Sequence, residues 1–196
     1  MTFLLKAPCH YQEEIRKSRF LAQAVPLPHP DEAGTLLRQL SAADATHNCW
    51  AWVFGQQYRF NDDGEPSGTA GRPILAAIEQ QQFDRVLLVV TRWYGGIQLG
   101  TGGLARAYGG CAAKCLQAGD SEPYVPRHRA RGHCPYNQLE TFKARLESLN
   151  AVLEAEEFDA EGAWLTLALP PEQIAAAQEL LSNLSRGESA FILLDE

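Results

Sequence analysis

The chain has 196 residues and a mass of 21.6 kDa, enough for one domain of ordinary size or two small ones. With 45% hydrophobic and 21% charged residues it has the composition of a globular protein, which excludes wholesale disorder, a fibrous repeat or a disulfide scaffold. The net charge of -7 is uneven: residues 1–131 hold 14 Lys/Arg against 12 Asp/Glu, and residues 132–196 hold 3 against 12, so indiscriminate coating of nucleic acid is disfavoured while a local anion site remains open.

In chain order, the first half reads as a mixed α/β unit. A strand is expected over 18–25, a helix over about 31–43 with Asp31 as its cap, and strands over 49–54 and 58–60 with Gly55 at the turn between them. A helix over about 72–81, a buried strand over 85–91 and a helix over about 103–116 follow. The longest apolar run, Val86 to Val90, is one strand long, far short of the roughly 18 residues of a membrane span. No extended apolar segment followed by small residues opens the chain, so a secretory signal is not expected and the cytoplasm is the default. Five cysteines without framework spacing fit free thiols in a reducing compartment.

Gly119 to Pro126 is polar and contains proline, and the basic run Arg127, His128, Arg129, Arg131 follows it, so a domain boundary is placed near 125, giving domains 1–125 and 126–196. Beyond it, a strand over 129–134 precedes a helix over 136–149, whose Leu139, Phe142, Leu146 and Leu149 recur at three- and four-residue steps. A strand over 151–158, a turn at 159–162, a strand over 164–169, a helix opened by Pro170 and Pro171 and running to about 184, and a strand over 190–194 complete the order βαββαβ. That order is the ferredoxin-like sandwich, two helices on one face of an antiparallel sheet. The fold class is therefore α+β in two domains.

Two glycine-rich segments carry the candidate chemistry. The first runs from the end of a strand into a helix and contains Arg92, Gly95, Gly96, Gly100, Thr101, Gly102, Gly103 and Arg106. Side-chain-free backbone at a helix start lets amides converge on an anion, and the two arginines would add charge-assisted bonds to phosphate. The same glycines could instead serve only tight turning and close packing. No Gly-Lys-Ser/Thr follows, and the spaced dinucleotide fingerprint is missing. Between Arg85 and Gly119 there are four basic residues and no acidic one.

The second segment carries Asp62, Asp63, Glu65, Ser67, Gly68, Thr69 and Arg72 and also feeds a helix. Its carboxylates invite a divalent-ion reading, but the spacing is not that of an EF-hand and a carboxylate-only Mg²⁺ site needs phosphate or water to complete it. Alternatively, Ser67 and Thr69 cap the helix and the acids are solvated or paired with Arg72. A third possibility is a ligand surface shared with the first loop. His47 beside Cys49 raises zinc or thiol chemistry, yet two further ligands are wanting; Cys111 and Cys115, four apart, fit a core lining. No catalytic residue, metal or cofactor is assigned.

Asp44-Ala45-Thr46-His47-Asn48-Cys49-Trp50, Asp62-Asp63-Gly64-Glu65-Pro66-Ser67-Gly68-Thr69-Ala70-Gly71, and Gly95-Gly96-Ile97 with Leu99-Gly100-Thr101-Gly102-Gly103-Leu104 together resemble the IMPACT family, in particular its bacterial YigZ-like branch. Ile15-Arg16-Lys17-Ser18-Arg19-Phe20 and the acidic C-terminal module extend the resemblance over nearly the whole chain. It implies an N-terminal domain like domain 2 of ribosomal protein S5 and a ferredoxin-like C-terminal domain, comparable with domains IV and V of elongation factor G. It also implies a link to translation control. The kinase restraint known for eukaryotic relatives, which have an extra N-terminal protein-binding domain, is not expected to carry over. The resulting expectation is a non-enzymatic, translation-associated regulator that binds RNA or the ribosome through the Arg-flanked glycine-rich site and has a possible translation-factor partner. A Mg²⁺-dependent phosphoryl-transfer enzyme of small molecules, with Asp62, Asp63 or Glu65 on the ion, and a protein-interaction module acting through the acidic domain are the alternatives.

Overall fold

The computed structural model describes residues 2–194, and by its internal contacts the chain divides into two compact units, Met1–Tyr124 and Val125–Glu196. In chain order the first unit contains β1 (Phe3–Leu5), β2 (Cys9–Ile15), β3 (Ser18–Pro26), α1 (Ala33–Leu40), β4 (His47–Phe54), β5 (Gln57–Asn61), α2 (Gly71–Gln80), β6 (Phe83–Asp84), β7 (Val86–Trp93), α3 (Thr101–Ala118) and β8 (Ser121–Pro123). The second contains β9 (His128–Pro135), α4 (Tyr136–Lys143), β10 (Val152–Phe158), β11 (Gly162–Leu169), α5 (Ile174–Leu184) and β12 (Ile192–Leu194).

Five strands of the first unit form an antiparallel sheet in the order β2-β3-β7-β4-β5, and β1 lies between β6 and β8 in a small separate sheet. Central β7 explains the unbroken apolar run of the sequence. Successive side chains of a strand alternate between faces, and here both faces are covered. Val86, Leu88 and Val90 pack in the main core with Phe20, Ile74, Ile78 and Tyr108, while Leu87 and Val89 join Leu27, Trp52 and Ala33 on the face covered by α1.

The second unit is the expected sandwich: an antiparallel sheet ordered β10-β11-β9-β12, with Phe142 of α4 and Leu181 of α5 buried against Ala130, Leu165 and Leu167. The basic run on β9 is neutralised locally, Arg129 by Glu154 at 2.6 Å and Arg131 by Glu157 at 2.9 Å.

Local structure departs from expectation in a few places. The helix expected from Asp31 is a 3-10 turn over Pro30–Glu32 leading into α1, and His29 Nδ1, not Asp31, accepts the capping bond, from the Asp31 amide at 3.3 Å. The helix expected over 136–149 stops at Lys143 and continues as tight turns that end at left-handed Asn150. Those turns still carry Leu146 and Leu149 into the core, so the apolar period outlives the helix. Strand β2 was missed although Cys9, Tyr11, Glu13 and Ile15 alternate in burial with their neighbours.

Candidate functional site

Asp62 organises the second glycine-rich segment. Its carboxylate accepts from the amides of Gly68 (2.9 Å), Ala70 (3.0 Å) and Gly71 (2.8 Å), so the loop closes around one side chain and delivers α2 with its first donors satisfied. Burial pushes this carboxyl up, and the three amide bonds outweigh it and hold it below the ordinary range. The expected cap is corrected accordingly: the Thr69 hydroxyl donates back to the Pro66 carbonyl at 2.6 Å, and Ser67 is exposed. Arg72 lies 5.9 Å over the Phe60 ring, and among the described residues it forms no ion pair with the loop acids. Asp63 accepts from the Asn48 amide at 2.6 Å, and its carbonyl lies 2.7 Å from His47 Nδ1.

Glu65 turns inward. One of its oxygens lies 2.6 Å from Arg92 Nη1 and accepts from the Tyr108 hydroxyl at 2.7 Å; the other is 3.8 Å from His47 Nε2. The Glu65 and Arg92 side chains are only 3% and 6% exposed. Arg92 was expected to lend its charge to an anion, but a carboxylate inside the protein already compensates it. All three carboxylates thus have internal partners, and the divalent-ion reading loses its ligands. Cys49 is no more available: its buried thiol donates to the Asp62 carbonyl at 3.0 Å, and burial pushes it up to about 12.

In the first segment the glycines divide into two groups. Gly95 belongs to packing: its amide donates to Ser18 Oγ at 3.2 Å, and a Cβ there would stand 1.8 Å from the Lys17 carbonyl oxygen. The β2–β3 turn, Arg16-Lys17, rests on it with both residues left-handed at φ 46° and 64°. Gly96, at φ 85°, and Gly100, at φ 72°, take conformations that other residues avoid, and Gly100 precedes the first turn of α3. The Gly100 carbonyl accepts from Leu104. The amides of Thr101, Gly102 and Gly103 have no protein partner among the described residues, and Thr101 and Gly102 are exposed.

The two segments meet in one cleft of about 490 Å³. His47, Glu65 and Pro66 line one side; Arg92, Tyr94, Leu99, Gly100 and Thr101 line the other. Gly103 and Arg106 face a smaller hollow of about 250 Å³ across Leu99, together with Arg16 and Lys114. Arg106 folds back over the helix start, its Nη1 3.5 Å from where a Gly102 Cβ would stand. Arg92 and Arg106 therefore do not converge on one point.

Residue-by-residue reading missed Tyr94, 47% exposed at the rim; Tyr108, the hidden partner of Glu65; and the exposed cations Arg16, Lys17 and Arg19. Arg19 stacks on Trp93 at 3.7 Å. Among the described residues, Arg16, Lys17, Arg19 and Arg106 form no ion pair. The basic triplet around Ser18 was the available signal.

Residues 16–116, just over half the chain, match the Impact N-terminal domain. The chain belongs to the IMPACT family. Residues 133–188 match a second model, a domain of unknown function named DUF1949. An IMPACT family member of Thermus thermophilus is 41% identical over 175 residues, covering 88% of this chain and 96% of that protein. The IMPACT family member YigZ of Escherichia coli is 36% identical over 197 residues, covering 97% and 96%. A crystal structure described only as that of a hypothetical protein superposes with a TM-score of 0.70 at 35% identity, over 100% of this chain and 98% of that one. Both glycine-rich segments lie inside the Impact N-terminal match.

Proposed function

We propose that this IMPACT-family chain is a translation-associated binder of structured RNA, on or off the ribosome, that grips phosphate at the start of α3. One observation carries this: the first-turn amides of an 18-residue helix are partnerless among the described residues, and at Gly103 the helix start shares a hollow with Arg16 and Arg106, cations with no acidic partner among those residues. Open amides and the helix dipole favour negative charge, and each phosphate contact releases counterions from the nucleic acid. Family membership supports the translational setting, which the resemblance implies. Arg92 plays no part in phosphate binding; it fixes Glu65 beneath the cleft. Glu140, Glu147, Glu161, Glu172, Glu179 and Glu188 are exposed on the acidic unit and suit a basic protein partner, not RNA. The geometry offers nothing to Mg²⁺-assisted phosphoryl transfer, since Asp62, Asp63 and Glu65 are all engaged internally.

The test is fluorescence anisotropy with a labelled structured RNA across a salt series. Arg16→Ala and Arg106→Ala should each weaken binding several-fold and lower the salt slope by about one unit per lost phosphate contact. Unchanged affinity in the double variant, with the fold intact by circular dichroism, overturns the proposal. Heat on titration with millimolar ATP and Mg²⁺ would favour the phosphoryl-transfer alternative instead.

A further inference from the structure

Cys9 on β2 and Cys115 on α3 stand 106 positions apart along the chain but side by side in space, with their sulfurs 3.8 Å apart. A disulfide needs about 2.05 Å, so closure requires an approach of roughly 1.8 Å. The two thiols are unequal. Cys9 is half-buried at the edge strand of the sheet, whereas Cys115 is buried and its sulfur lies 3.6 Å from the Cys9 carbonyl and 3.5 Å from that of Ala22. The hydrogen bond from the Cys115 thiol holds Cys9 below the ordinary thiol value, against the effect of burial, and the same bond holds Cys115 above it. Cys49, Cys111 and Cys134 are buried, and burial raises all three, the first two to about 12. One thiol of the five is thus on a half-buried residue and held below its ordinary value, and it has a second sulfur 3.8 Å away.

We propose that Cys9 and Cys115 form a reversible oxidation site, a dithiol that hydroperoxides close to a disulfide between β2 and α3. The Cys9 thiolate attacks a peroxide oxygen; the O–O bond breaks, Cys9 becomes a sulfenic acid, and the released alkoxide or hydroxide takes up the proton that Cys9 gave to solvent. The Cys115 sulfur then attacks the Cys9 sulfur. The S–S bond forms as S–O breaks, and hydroxide leaves with the Cys115 proton as water. The two sulfurs together lose two electrons, and the peroxide gains them. The cross-link spans most of the first unit, so the oxidised form has a more constrained unfolded chain and melts at higher temperature.

The experiment uses the full chain, reduced and then exposed to hydrogen peroxide. The expected result is a fall in titratable thiols from five to three, a linked pair of tryptic peptides carrying Cys9 and Cys115, and full reversal by dithiothreitol. Cys115→Ser should stop at the sulfenic acid, captured on Cys9 by dimedone, and Cys9→Ser should keep its remaining thiols under the same dose. The proposal is overturned if wild-type Cys9 does not react, if it passes to sulfinic acid without a link, or if the linked peptide contains a different cysteine. The wild-type measurement decides the matter whether or not Cys115→Ser folds.

Discussion

Replacing Glu65 with Ala removes the anion that faces the Arg92 guanidinium and the acceptor of the Tyr108 hydroxyl in one step. Both charged side chains are more than nine-tenths buried, so solvent cannot take over the stranded charge. Breaking a buried pair from one side costs about 3–5 kcal/mol, and the lost Tyr108 bond lies within that figure and is not added to it. Glu65→Gln keeps an oxygen for Tyr108 but not the charge and should cost about half as much. Arg92→Met with Glu65→Leu leaves no buried charge, and Phe20, Tyr108 and Leu104 offer apolar neighbours, so the double variant should lie within about 1–2 kcal/mol of wild type. The coupling between the two sites is then several kcal/mol. The assay is urea unfolding followed by tryptophan fluorescence in a Trp164→Phe background, which leaves Trp50, Trp52 and Trp93 to report on the first unit. A Glu65→Ala loss below about 1 kcal/mol, or a double variant no better than either single one, would refute the buried-pair account.

Three further outcomes are expected. Asp62→Ala should destabilise the first unit by about 1–2 kcal/mol, since three amides lose their acceptor; denaturant melts measure this. Because the folded carboxyl of Asp62 is depressed, its stabilisation is full above the unfolded value of 3.8 and is lost as pH falls through the lower folded value. Asp62→Asn should flatten the stability profile in that acid window and lower its plateau near neutrality, where the wild-type carboxylate contributes in full. Gly95→Ala places a Cβ 1.8 Å from the Lys17 carbonyl, so the β2–β3 turn must shift at a cost of about 1–3 kcal/mol, and trypsin should cut faster after Arg16 and Lys17. Cys49, buried and pushed up to about 12, should resist iodoacetamide at neutral pH in the folded protein and react in urea; rapid alkylation of the native chain would contradict its placement.

The ferredoxin-like unit was legible because period and order coincide in it: apolar residues at helical spacing lie between alternating strands, and turn residues separate them. Gly55 marked the β4–β5 turn for the same local reason. The site was less legible. Asp62, Asp63 and Glu65 look alike in sequence, yet one gathers amides for α2, one anchors β4 and one is buried against arginine, and these differences depend on residues 6 to 43 positions away.

Sequence alone determined what propagates from neighbour to neighbour: two folding units of unequal charge, the second the more acidic, the chain order of most elements, the glycine-rich entry to α3 and the family signature. Tertiary structure decided what depends on distant partners. It neutralised Arg92 with Glu65, parted Arg106 from Arg92, set Gly95 under a turn some 80 residues earlier and brought Cys9 against Cys115. A charge or thiol acts through what surrounds it, and those surroundings come from strand pairing and helix packing, whose geometry local periodicity does not encode.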